Sequence, residues 1–136
     1  MSKRVIDVIE PHHTYAYGGI GAIRPEPLTH NVPNCGYHIF TFNWERLFYA
    51  TDTGTLDGIV AKGYDLYMIE ANHTKADLEA RRDAKIAAGE FSYEVEAERN
   101  HLSREQALDW LYQQMGPNSE YVFLHQHVDK GGARDG

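Results

Sequence analysis

Cysteine is almost missing from this sequence: Cys35 stands alone among 136 residues. A lone cysteine excludes an intramolecular disulfide framework and fits a reducing compartment, so the expected location is the cytoplasm. Long apolar runs are missing too. No stretch approaches the roughly 20 apolar residues of a membrane-crossing helix, and Met1-Ser2-Lys3-Arg4 does not lead into the apolar core of a secretory leader. Neither a leader nor a membrane partner is expected. Positive charge is scarce, with 13 Lys and Arg against 20 Asp and Glu and a formal net charge of −7. Such a surface repels a phosphate backbone and argues against tight non-specific nucleic-acid binding by the chain alone. A bound divalent ion would reverse that field within a site.

What is present points to a folded domain. Hydrophobic residues make up 42% of the chain and 9 residues are Tyr, too apolar a mixture for disorder. No repeat or internal boundary appears, so residues 1–129 are expected to form one domain, with a charged, glycine-rich tail over 130–136. Eight His residues in so short a chain raise the question of a metal.

The pattern along the chain predicts an α/β protein. Val5 to Ile9 reads as a short first strand, and the glycine-rich Tyr15 to Gly21 as a turn whose spacing fits no nucleotide loop. Ala22 to Thr29 is an extended piece broken by two prolines, hence an edge. Tyr37–Phe42 and Leu47–Thr51 form a hairpin rich in aromatic and β-branched residues. A brief helix is predicted from about Leu56 to Lys62, and Leu66–Ile69 reads as a strand buried on both faces. Thr74 to Ala88 is a helix capped by Thr74 and Asp77 and stopped by Gly89, followed by a connection with an extended Phe91–Val95. Ser103-Arg104-Glu105-Gln106 is a capping box opening a second helix, with Ala107, Leu108, Leu111 and Met115 at helical spacing and Gly116-Pro117 at its end. Tyr121–Leu124 is the last strand.

One theme recurs. Apolar segments run into loops that begin with His30, Asp52, Glu70, His101 and His125, and in α/β architectures ligands gather beyond the carboxyl ends of strands. Imidazole and carboxylate are the usual ligands of zinc, and a Glu beside a His suits a proton relay. The spacings are too long for a zinc finger, so only a folded core would unite these residues. Each also has a plain reading: a turn-closing Asp52, a salt-bridged Glu70, loop hydrogen bonds for His30 and His101, a structural His125. His127 is the rival of His125; His12, His13, His38 and His73 have no comparable placement.

In order, these pieces resemble the second half of the metallo-β-lactamase superfamily, closest to its ribonuclease Z-like phosphodiesterase and nuclease branch. The matching pieces are Thr29-His30-Asn31-Val32-Pro33-Asn34-Cys35-Gly36-Tyr37, Leu47 to Gly54 with Asp52, Met68-Ile69-Glu70-Ala71-Asn72, His101-Leu102-Ser103, and Val122-Phe123-Leu124-His125. The resemblance spans roughly Pro27 to His127 and implies half of an αββα sandwich, a mixed sheet with helices on one face. It implies His30, Asp52 and His125 as metal ligands, with Glu70 and His101 as the acid/base pair. The implied cofactor is a divalent metal, zinc first, with manganese or iron as alternatives. The implied activity is metal-dependent hydrolysis of a small-molecule or nucleic-acid phosphodiester; the alternative is a catalytically inert binding or assembly module. The family's first half carries a His-x-His-x-Asp-His cluster that nothing here matches, since Pro11-His12-His13-Thr14 has the wrong spacing and no Asp. Half a sandwich would leave an apolar sheet face in water, so a homo-oligomer or a separate N-terminal half is the expected partner.

Overall fold

A computed structural model describes residues 8–87 and 101–124. Much of the expected Val5–Ile9 strand, the Gly89 stop, Phe91–Val95 and the 130–136 tail lie outside those residues; Val8 to Glu10 are not strand. The chain builds one six-stranded sheet with strand order equal to chain order. The strands are β1 (Tyr15–Tyr17), β2 (Gly21–Pro27), β3 (Cys35–Thr41), β4 (Arg46–Ala50), β5 (Leu66–Glu70) and β6 (Glu120–Leu124). Strands β1 to β4 form an antiparallel meander, while β4, β5 and β6 run parallel. The last parallel crossover contains the two described helices, α1 (Lys75–Ala87) and α2 (Arg104–Gln114). The mixed α/β sheet expected from the sequence is therefore the fold.

Three local expectations are corrected. The glycine-rich segment is a turn only at its centre, because Tyr15 and Tyr17 pair with Ile23 and Gly21 as β1. β2 is not an edge strand: it lies between β1 and β3. Its prolines are tolerated because β1 reaches only as far as Ile23, leaving Pro25 locally unpaired on that side, where its carbonyl accepts from the His12 N–H at 3.0 Å. Leu56 to Lys62 is a chain of turns, not a helix, with left-handed Gly58 (φ 85°) interrupting it.

The register fixes two faces. Arg24, His38, Phe48, Tyr67 and Tyr121 share one row across five strands, and Pro25, Tyr37, Tyr49, Met68 and Val122 share the next, on the opposite face. Phe48, Tyr67 and Ile69 are fully buried beneath α2. The Trp110 ring lies 5.2 Å from Phe48, tilted at 38°, and meets Tyr67 edge-on at 5.7 Å, the T-shaped geometry that aromatic quadrupoles favour. Leu108, expected in the core of α2, is 40% exposed, and Trp110 takes that role beside Ala107 and Leu111. The irregular 51–65 segment is tied under α2 by the Trp110 indole N–H donating to Ile59 O and the Gln114 side chain accepting from Ala61 N. Leu66 and Met68 are only half-buried, so β5 is fully covered on one face rather than two. On that second face Val122 is 49% exposed.

α2 begins where the capping box requires: Ser103 Oγ accepts from Gln106 N and the Gln106 side chain accepts from Ser103 N. Thr74 Oγ1 accepts from Asp77 N at the start of α1. Beyond β5, Asn72 N donates to Leu102 O and Arg104 N to His73 O. That short parallel bridge fixes the entrance of α2 against the end of β5.

Candidate metal and acid/base site

Because β4 and β5 are parallel, their carboxyl ends open at the same edge of the sheet. Glu70 is the last residue of β5 and its side chain is completely buried. A buried carboxylate is costly unless every lone pair is used. Here Oε1 accepts from the backbone N–H groups of Thr53 (2.7 Å) and Leu102 (3.3 Å), and Oε2 lies 2.9 Å from His101 Nδ1. An ionised carboxylate only accepts, so with Glu70 in that form His101 Nδ1 is the donor of this bond.

Asp52 sits two residues past β4 with a left-handed backbone, φ 58°. That conformation costs an ordinary residue about 1–2 kcal/mol, less for Asp. It brings Oδ1 to 3.8 Å from His101 Nδ1 while leaving the Asp52 side chain 43% exposed. A cavity of about 230 Å³ opens beside it, lined by Tyr49, Thr51, Asp52 and Leu124. One ligand atom from each of Asp52, Glu70 and His101 lies within 4.8 Å of the others. His30 joins the group by its ring, edge-on to His101 at 5.7 Å between centroids.

The loop carrying His30 is stitched to the Asp52 loop. Thr29 N donates to Thr53 Oγ1 and Gly54 N to Thr29 O, at 3.1 and 2.8 Å. Asn34 Nδ2 donates to the carbonyls of both Thr51 and Asp52, at 2.9 and 3.0 Å. Gly36 permits this approach, since a Cβ there would sit 2.6 Å from Tyr49 O. Of the five residues read from the sequence, the structure brings four together: His30, Asp52, Glu70 and His101. His125 lies outside the described residues, one position beyond Leu124. Asn34 and Thr53 were missed by sequence reasoning. Pro33-Asn34 reads as an ordinary loop, and the Thr53 contribution is a backbone N–H that no side-chain motif announces.

The donor set of carboxylate oxygen and imidazole nitrogen suits a hard or borderline divalent ion. The ligand atoms that converge are those of Asp52, Glu70 and His101, and the Glu70 carboxylate is at the same time engaged by Thr53, Leu102 and His101.

No family model matches the sequence, and no curated protein matches it. Solved structures do. The chain is similar to the metallo-beta-lactamase fold protein YhfI from Bacillus subtilis, with a TM-score of 0.64 at 14% identity over 92% of this chain. This is a metallo-β-lactamase fold. It is also similar to the short form of human tRNase Z (ELAC1), with a TM-score of 0.52 at 12% identity over 88% of this chain. The chain spans 44% of the first of those structures and 39% of the second. In metallo-β-lactamase terms the mixed six-stranded sheet with its helices is consistent with a half-fold.

A fully buried histidine, His38, belongs to the core rather than to this site. The His38 side chain is fully buried, its Nδ1 2.8 Å from the Tyr64 hydroxyl and its Nε2 3.1 Å from Glu26 Oε1. Burial holds its pKa below the ordinary 6.5, Arg24 and His12 push the same way, and the Glu26 carboxylate opposes them.

Proposed function

We propose that this chain is the acid/base and ligand-bearing half of a metal-dependent hydrolase that acts on phosphodiesters. The Glu70–His101 pair, hydrogen-bonded at 2.9 Å beside Asp52, carries the reading. The tRNase Z structure among the similar folds favours a phosphodiester substrate over other hydrolysable bonds. In this reading Asp52, His30 and His125 hold a divalent ion, zinc first and manganese or iron otherwise, which when bound supplies an activated water and screens phosphate charge. Glu70 holds the His101 ring in one orientation, and the imidazolium donates a proton to the departing oxygen.

The missing ligands come from a partner: a separate or preceding first-half segment, or another copy of the chain. The apolar sheet face carrying Tyr49, Met68 and Val122 is where that partner docks. The second reading, an inert binding or assembly module, is favoured by one observation: the sequence has no His-x-His-x-Asp-His cluster to supply a second set of ligands. Hydrolysis of bis(p-nitrophenyl) phosphate with zinc or manganese separates the two, assayed on the chain with its partner segment. Activity that falls at least 100-fold in His101→Ala with metal content intact supports the hydrolase. Absence of both activity and stoichiometric metal supports the inert module.

A further inference from the structure

Two successive backbone carbonyls, those of Thr51 and Asp52, converge on a single nitrogen, Asn34 Nδ2, at 2.9 and 3.0 Å. In an extended strand successive carbonyls point to opposite sides. Convergence requires the chain to leave the strand geometry at this point, and Asp52 at φ 58° is where it does. An amide nitrogen has two hydrogens, and here each finds one carbonyl. The donor comes from outside the 51–54 turn, from the last position before β3, so the turn's shape is imposed across the sheet rather than by its own sequence. Asn34 is itself anchored: its carbonyl accepts from Leu28 N at 3.0 Å, closing the loop that carries His30.

We propose that Asn34 is the positioning residue of the site: its amide locks Asp52 in the left-handed conformation that aims the carboxylate at the metal position, and couples that carboxylate to the His30 loop. It rests on the reading of Asp52 as a metal-binding residue. Asn34 touches neither metal nor substrate and acts only through Asp52. Asn34→Asp keeps the shape but sets a carboxylate against two carbonyls, and Asn34→Ala removes the donor altogether.

The test is Mn²⁺ titration of wild type and both variants, followed by calorimetry, together with NMR of Asp52. A left-handed residue shows a strong amide-to-Hα cross-peak within itself. The wild type shows that signal and binds Mn²⁺. Both variants lose the signal and bind 10- to 100-fold more weakly, as supporting residues behind metal ligands do, while the Trp110 indole resonance stays in place. Affinity within twofold of wild type in a folded variant overturns the proposal. If one variant does not fold, the other carries the comparison. If wild type binds no Mn²⁺, the metal reading fails, and the Asp52 signal alone decides: lost in the variants, Asn34 positions Asp52; retained, it does not.

Discussion

Glu70 and His101 stand 31 positions apart in the chain and meet at 2.9 Å, one at the end of a strand and the other at the entrance of a helix. The Asn72–Leu102 and His73–Arg104 backbone bonds close the same junction. Glu70 is therefore a brace as well as a proposed acid/base partner, because two backbone N–H groups and one imidazole depend on it.

Glu70→Ala leaves the N–H groups of Thr53 and Leu102 buried with no acceptor. An orphaned buried donor costs about 1–3 kcal/mol, so the variant should unfold at clearly lower urea than wild type. An unchanged midpoint would remove the bracing role.

His38 predicts a pH dependence. Its folded pKa is lowered by burial, and by Arg24 and His12 in part against Glu26, so the unfolded chain takes up a proton first as pH falls. Its contribution to stability is complete above the ordinary value of 6.5 and is lost as pH falls from there through the folded pKa. Melting temperature should drop between pH 7.5 and pH 5, and the slope should flatten in His38→Phe; equal slopes in the two proteins would reject His38 as the cause.

Metal binding should raise stability by about 2.7 kcal/mol at a free concentration 100 times Kd. A chelator reverses the gain. Asp52→Ala abolishes it and His30→Ala reduces it, while His38→Phe leaves it intact, since that ring faces the core. Thermal shifts with zinc and manganese across the three variants measure this, and an Asp52→Ala protein stabilised as well as wild type would displace Asp52 from the metal.

The face carrying Tyr49, Met68 and Val122 should be covered in solution. Association burying roughly 2,000 Å² in total is expected, either with another copy or with a first-half segment. Met68→Lys should break it, with little effect on the α2 side of the sheet. Sedimentation of a single monomeric species at micromolar concentration, with no shift in the variant, would show that nothing docks there.

Much of this protein was legible from local sequence. The aromatic and β-branched content of Tyr37–Phe42 and Leu47–Thr51, the Ser103–Gln106 capping box and the Thr74 cap are local signals, and the structure repeats them with strand ends shifted by one or two positions. The residues that gather at the site were legible too, because His30, Asp52, Glu70 and His101 each follow or precede an apolar element. Other features are products of distance in the chain. Whether Leu56–Lys62 coils into a helix was decided by its role as a strap, held by Gln114 and Trp110 from more than 50 positions away. Trp110 displaced Leu108 from the core because α2 is oriented by the ring contacts of Phe48 and Tyr67. His38 looked like an ordinary strand residue until Glu26 and Tyr64, 12 and 26 positions away, closed on it. Asp52 shows the division most plainly: its place after a strand is written in the sequence, but its left-handed turn toward the site depends on an amide 18 positions earlier, brought across by strand pairing.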